Sequence, residues 1–224
     1  MPQGQKKLAI FDLDNTLLGG DSDHAWGEFL IQKGLVDANA HKQANDGFYA
    51  DYNNGTLDIN AYLTFALTAI AGQSAAALAP LHNDFMTNFV EPMRLAKADA
   101  LLEKHRNAGD YLLIITATND FVTRPIAQRL GVDAILASNA EQKDGVYTGK
   151  PTGTPCFQAG KVTRLNEWLT DNPFNLAEAC FYSDSHNDIP LLEAVGHAIA
   201  VDADSILHAH AIKAGWPTMS LRDD

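Results

Sequence analysis

A chain of 224 residues with 46% hydrophobic side chains is long enough for one large core, or for a core that carries a smaller insert. A net charge of −12 excludes the classes that need a basic face: nucleic-acid binding and docking on an anionic membrane. The two cysteines, Cys156 and Cys180, form neither a disulfide framework nor a metal-ligand or redox spacing. The N-terminal residues lack the pattern of a signal peptide. No segment reaches the ~18 apolar residues of a membrane span, so a soluble cytoplasmic protein is expected.

The first element is an apolar strand over 8–13 that runs into Asp12 and Asp14. The next 75 or so residues contain no convincing strand. Their apolar spacing predicts helices over 23–32, 38–52, 59–71 and 75–89, with Asn53, Asn54 and Gly55 as a turn. From about residue 93 the pattern changes. A helix over 96–108 stops at Gly109, and short apolar strands are expected at 111–117, 134–137, 179–183 and 198–201. Helices over 125–130, 162–169 and 189–195 lie between them, the last with Pro190 in its first turn and Gly196 past its end. Asp144-Gly145 signals a hairpin inside 141–161. Unbroken apolar strands alternating with helices imply an α/β fold, a doubly wound parallel sheet covered on both faces. The all-helical stretch then reads as an inserted cap, residues 18–92, between core segments 1–17 and 93–224.

In such sheets ligands sit at the carboxyl ends of the strands. Asp12 and Asp14 lie there, two residues apart and on one side. Thr116 ends "LLIIT" and Asp184 ends "CFYSD", with Asn187 and Asp188 just beyond. Clustered carboxylates near a buried sheet are costly unless a cation neutralises them, and an all-oxygen set suits Mg²⁺ shared with a phosphate. A carboxylate beside such a metal can attack phosphorus, and a second one can donate a proton and then activate water. Lys161 opens the "KVTRLNEWL" helix, an unfavourable place for a cation unless an anion is near.

"DLDNT" (12–16) resembles the DxDx[T/V] motif of the haloacid dehalogenase-like hydrolases. Thr116, Lys161 and "SDSHND" (183–188) are similar to that family's second, third and fourth motifs, in order and across nearly the whole chain. A helical insertion directly after the first motif resembles the subgroup that contains phosphoserine phosphatase. The resemblance implies that Asp12 is the nucleophile and a Mg²⁺ ligand. It implies that Asp14 is the general acid/base with its backbone carbonyl on the metal, and that Thr116 and Lys161 hold phosphate. Asp184 would be a further carboxylate ligand. Asp188 would orient the metal's waters or Lys161, with Asn187 beside it. Asp188 also stands where a helix N-cap belongs. His186, in the same loop, is expected to be exposed.

The insert bears on the substrate. Phosphoserine phosphatases resembling this chain read the serine carboxylate with a cap arginine. Between 18 and 92 there is none: the basic residues are Lys33 and Lys42, against nine acidic ones. A carboxylate-bearing substrate would be poorly held, whereas a cationic amine suits such a cap. In "GDSDHAW" (20–26), Asp21, Asp23 and Trp26 are candidates for contact with the substrate tail, and Asn119, after Thr116, is a fourth. Where the phosphoserine enzymes resemble Ser-Gly-Gly, this chain has Ala117, Thr118 and Asn119, which restrict close approach of the backbone to an anion. A small phosphate ester with an amine and no carboxylate is expected, L-histidinol phosphate being the named candidate and phosphoserine or a broad metabolite range the alternative. A phosphoryl-accepting switch would need neither Asp14 nor a cap, and a non-catalytic binding module would not need the full acidic set.

Overall fold

The computed structural model describes residues 6–222. The chain runs β1 (Leu8–Phe11), α1 (Ser22–Gln32), α2 (Ala38–Asn53), α3 (Ile59–Thr68) and α4 (Ala75–Phe85). It continues through α5 (Ala96–Ala108), β2 (Tyr111–Asn119), α6 (Asp120–Leu130), β3 (Ala134–Lys143), β4 (Val146–Thr152) and α7 (Ala159–Leu169). The last elements are β5 (Cys180–Ser183), α8 (Ile189–Leu192), β6 (His197–Val201), α9 (Ser205–Ala214) and β7 (Thr218–Met219). The seven strands form one sheet in the order β4-β3-β2-β1-β5-β6-β7, parallel except for the β3–β4 hairpin. β1 lies between β2 and β5, where the strand order reverses, so a crevice opens beyond its carboxyl end.

Alternation along β1 divides the core. Leu8 and Ile10 pack with Leu113, Ile115, Leu165 and Leu207 on one face. Ala9 and Phe11 join Leu102, Ile114 and Val122 on the other, in a cluster that continues into the helical insertion through Trp26, Phe29 and Phe85. Burial on both faces is why these strands read as continuous apolar runs.

Several predicted bounds shift for physical reasons. β1 ends at Phe11 rather than 13, although the Asp12 N–H still donates to the Tyr182 carbonyl. α6 starts at Asp120, five residues before Pro125, because the Asn119 side chain caps it by accepting from Val122 N–H. The helix expected over 75–89 ends at Phe85, followed by a widened turn (Met86–Val90) and a tight one (Glu91–Met93) that holds Pro92. α8 is a single turn and stops at Leu192 rather than 195. α9 and β7 are additional to the expected elements. The Asp144-Gly145 hairpin is present, with both residues at positive φ (52° and 77°) as a two-residue turn demands. Its far strand leans on the insertion: Gly72 N–H donates to the Tyr147 carbonyl and Tyr147 N–H to that of Gln73. Among the described residues no helix is long and apolar enough to cross a membrane.

Candidate active site

Register assembles the site. Phe11 pairs with Ile114 on one side and Tyr182 on the other. Asp12, Thr116 and Asp184 therefore stand at nearly the same level on three adjacent strands, Asp12 and Asp184 just past the ends of β1 and β5 and Thr116 where the β2–β3 pairing becomes irregular. Asp12 is 4% exposed, Thr116 1% and Lys161 2%, so these groups face one another and not bulk water.

Lys161 reaches this level from the first turn of α7. The entry to that helix is tight: Gln158 sits at φ 48°, and a Cβ on Gly160 would stand 2.1 Å from the Pro155 carbonyl oxygen. Glycine at 160 is thus required for the chain to pass. The Lys161 ammonium donates to Asp12 Oδ1 and to Asp188 Oδ2, each at 2.8 Å. Ser183 Oγ donates to Asp188 Oδ2 at 2.7 Å. Asp188 therefore orients Lys161. It makes no side-chain cap bond to α8, so the capping role expected for it is absent. Burial would drive a lone lysine toward neutrality, but Asp12 and Asp188 outweigh it and hold Lys161 firmly protonated.

Asp14 looks the other way. Asn15 adopts positive φ (58°) and its N–H donates to the Gly20 carbonyl, folding the chain back on itself. Ser22 N–H then donates to Asp14 Oδ1 at 2.7 Å, and Thr118 Oγ1 donates to Oδ2 at 2.8 Å. Burial, then the charge of Asp21, pushes the Asp14 carboxyl up to about 6, the range of a general acid near neutral pH. Thr116 Oγ1 accepts from Thr118 N–H at 3.2 Å, which leaves its own proton free to donate into the cleft.

Asp184 is bound reciprocally to Thr16: the hydroxyl donates to Asp184 Oδ1 at 3.0 Å, and Asp184 N–H donates to the hydroxyl at 3.1 Å. Burial, then the charge of Asp12, raises the Asp184 carboxyl well above the usual carboxylate range. Burial, with the charges of Asp188 and Asp14 opposed by Lys161, pushes Asp12 up to about 7. One ammonium does not neutralise four acids. The unmet negative charge and the all-oxygen donors fit a hard divalent cation between Asp12 and Asp184. Both Asp14 carboxylate oxygens are engaged elsewhere, by Ser22 N–H and the Thr118 hydroxyl.

Asn187 joins core to insertion. Its Nδ2 donates to the Tyr52 carbonyl at 3.1 Å, and its Oδ1 accepts from Gln158 Nε2 at 2.9 Å. His186 is not a free loop residue. Its ring bonds Asp204 at 2.8 Å and approaches Gly55 in the turn after α2.

The insertion closes over the strand ends and leaves a pocket lined by Asp12, Asp14, Thr116 and Thr118 from the core. From the insertion come Asp21, Asp23, His24, Phe48, Tyr49, Tyr52 and Tyr62 among others, with no lysine or arginine. Arg94, the first arginine of the chain, is committed to Asp99 and Glu91. Trp26 does not reach the pocket. It is buried among Phe29, His82, Phe85 and Phe121, which corrects its expected contact with substrate: its spacing with Phe29 and Leu30 is that of a core face. Asn119 is also held back, capping α6 and touching the site only through Asp23. Thr16, Ser22, Thr118 and Ser183 were not singled out in the sequence. Thr16 stands inside "DLDNT" and Thr118 two residues past Thr116, and those positions were the available signal.

The family model of the haloacid dehalogenase-like hydrolases matches residues 9–193. The chain belongs to the haloacid dehalogenase-like hydrolases. Within this family it is 44% identical over 97% of its length to a protein of Neisseria meningitidis named histidinol-phosphatase, and it covers all of that protein. It is 31% identical to phosphoserine phosphatase SerB1 of Mycobacterium tuberculosis, over 96% of this chain and 70% of that one. A crystal structure of a Bordetella pertussis protein of unknown function superposes with a TM-score of 0.90 at 40% identity, over 97% of this chain and 100% of the other. Substrate-bound phosphoserine phosphatase, at 18% identity and a TM-score of 0.71 over 99% and 96% of the two chains, shares the fold. Phosphatases of this hydrolase family generally use Mg²⁺.

Proposed function

We propose that the chain is a Mg²⁺-dependent phosphomonoesterase whose substrate is a small amino-alcohol phosphate, L-histidinol phosphate in particular. The observation that carries this reading is the pocket itself. Carboxylates and aromatic rings, and no lysine or arginine, line the space beyond the paired Asp12 and Asp14. The 44% identical relative named histidinol-phosphatase supports the same choice.

Asp12 attacks the phosphorus as the ester P–O bond breaks, and the Asp14 carboxyl delivers its proton to the leaving alkoxide. Asp14, now a carboxylate, takes a proton from water. The resulting hydroxide attacks the aspartyl-phosphate, the Asp12–phosphorus bond breaks, and inorganic phosphate leaves. Lys161 holds Asp12 in line, and with the Thr116 hydroxyl it stabilises charge on the transferring group. Asp12, Asp184 and the Asp14 carbonyl would hold Mg²⁺, which when bound neutralises the phosphoryl oxygens. Residues 18–92 act as the cap over segments 1–17 and 93–224. The division at these points is supported by the antiparallel pairing of Leu18 with Arg94, where the chain leaves and re-enters the sheet layer. Asp21 would receive the substrate's amine: its Oδ1 caps α1 by accepting from Asp23 and His24 N–H, and the residue lines the pocket. The substrate site is taken to lie in the cytoplasm.

Phosphoserine is the second reading, favoured by the relative named phosphoserine phosphatase. Its carboxylate would meet Asp21 and Asp23 with no guanidinium to offset them. Steady-state phosphate release with Mg²⁺ from L-histidinol phosphate, phosphoserine, a sugar phosphate and a nucleotide decides between them. A kcat/KM for histidinol phosphate at least about a hundredfold above the rest is expected, and equal turnover of phosphoserine would remove the reading.

A further inference from the structure

Every carboxylate at the sheet edge accepts a hydrogen bond of ordinary length, whereas in the insertion Asp23 keeps one buried oxygen without any. Asp23, at the second position of α1, is 5% exposed and lines the pocket. Its Oδ1 accepts a long bond (3.4 Å) from Asn119 Nδ2, while Oδ2 is buried and meets no donor. A buried carboxylate oxygen left without a partner costs on the order of 1–3 kcal/mol, more when charged. No lysine or arginine lines the pocket to relieve it. Asp21 and Asp14 add negative charge, and the hydroxyls of Tyr62 and Thr118 are the polar groups drawn to it, the Thr118 proton being given to Asp14 at 2.8 Å. The N-cap of α1 is already supplied by Asp21, and a place in the first turn favours an acid without requiring that one of its oxygens be buried and unpaired. Such a group is explained by a ligand that brings the missing donor.

The surroundings define that donor. Asp21 and Asp23 stand two residues apart at the start of one helix, so their carboxylates present neighbouring acceptors to the same pocket. Apart from Asn45, the insertion's other contributions to the pocket are rings and aliphatic chains, Phe48, Tyr49, Tyr62, Leu57 and Ile59 among them, and Tyr62 is the ring whose hydroxyl is drawn to Asp23. Flat apolar walls ending in a buried carboxylate accept a planar ring that carries an N–H. A substrate with one amine needs only Asp21.

We propose that Asp23 is the specificity-determining residue for a second nitrogen group, its free Oδ2 accepting the ring N–H of an imidazole while Asp21 receives the amine. This rests on the reading of the chain as an amino-alcohol phosphatase and names the part of the substrate each carboxylate reads. Burial, then the charges of Asp21 and Asp14, raises the Asp23 carboxyl well above the usual range. The carboxyl and the ring can therefore share one proton: either imidazolium donates to carboxylate or the protonated acid donates to neutral imidazole. A substrate carboxylate gains nothing from either form, so the same residue selects against phosphoserine.

The test is Asp23→Asn, whose Oδ1 keeps the bond from Asn119, measured beside wild type in two ways. In turnover with Mg²⁺, the variant is expected to raise KM for L-histidinol phosphate at least tenfold more than KM for O-phosphoethanolamine, which carries the amine without the ring. In inhibition of acetyl phosphate hydrolysis, L-histidinol is expected to lose at least tenfold more affinity than ethanolamine. A wild type that ignores histidinol phosphate but shows the ring-dependent inhibition, lost in the variant, would sink the substrate reading and leave the Asp23 subsite standing. Equal losses on ring-bearing and ring-free ligands, or no loss on either, overturn the subsite. Folding is controlled by thermal unfolding without ligand, where Asp23→Asn is expected to unfold at or above the wild-type temperature because it removes an unmet buried acid. A clear fall in that temperature would mean the carboxylate is structural and also overturns the proposal. Tyr62→Phe is the companion variant. It takes a hydroxyl from the same subsite and is expected to weaken L-histidinol more than ethanolamine, and the reverse order counts against the assignment.

Discussion

The sheet edge and the helical insertion handle buried charge in opposite ways. At the edge every acid accepts a hydrogen bond from within the chain, though one ammonium leaves the charge unbalanced: Asp12 and Asp188 from Lys161, Asp14 from Ser22 and Thr118, Asp184 from Thr16. In the insertion Asp23 keeps an oxygen with no hydrogen-bond partner, and Asp21 and Asp23 share a pocket without a lysine or arginine. The edge is preorganised, so its donors are in place before substrate arrives and need no rearrangement at the moment of reaction. The insertion is left incomplete, and on the proposed reading the substrate tail completes it. On that reading one region carries chemistry shared by many substrates and the other carries selection.

Substitutions sharpen this contrast. Asp12→Asn removes the nucleophile and is expected to lower kcat by about 10³-fold or more on every phosphate ester alike, read by phosphate release. Asp14→Asn is expected to lose about 10²- to 10⁴-fold and to accumulate phosphorylated enzyme, because water is no longer deprotonated for the second step. Full turnover by either variant would break the assignment at the edge. Lys161→Met leaves Asp12 and Asp188 unpaired, and a loss of about 3–5 kcal/mol of stability is expected in denaturant titration, where an unchanged midpoint would mean the pair carries no such weight. Titrating Mg²⁺ onto metal-free protein should raise the unfolding temperature by mass action, worth about 2.7 kcal/mol at a hundred times the dissociation constant, and Asp184→Asn should abolish most of that rise. The smallest effect belongs to the contact between the two regions. Asn187→Ala removes the bond to the Tyr52 carbonyl and should raise KM by no more than about tenfold, with kcat less affected.

Legibility follows the same divide. The paired Asp12 and Asp14, with Thr116, Lys161 and Asp184, were readable because apolar runs located the strand ends and polar residues near strand ends of an open α/β sheet have few structural excuses. The partners Thr16, Ser22, Thr118 and Ser183 were not, since a serine or threonine in a loop carries no sign of which carboxylate it will meet after folding. Trp26 shows the opposite error: its neighbourhood in sequence to Asp21 and Asp23 suggested the pocket, but helical spacing turns it toward Phe85 and Phe121. α9 escaped notice because Ala and His give it little apolar pattern, although Asp204 caps its start and Gly215, at φ 73°, ends it. In the insertion only the charge balance was legible. The three-dimensional fact that one oxygen of Asp23 lacks a donor has no counterpart in sequence.

The most direct measurement combines both regions. Asp14→Asn protein would be mixed with Mg²⁺ and either L-histidinol phosphate or phosphoserine at equal concentration, quenched, and mapped by peptide mass spectrometry. Phosphoryl on Asp12 from histidinol phosphate, with little from phosphoserine, is the predicted result. Equal loading by phosphoserine would contradict the role given to the insertion, and phosphoryl on a residue other than Asp12 would contradict the chemistry given to the sheet edge.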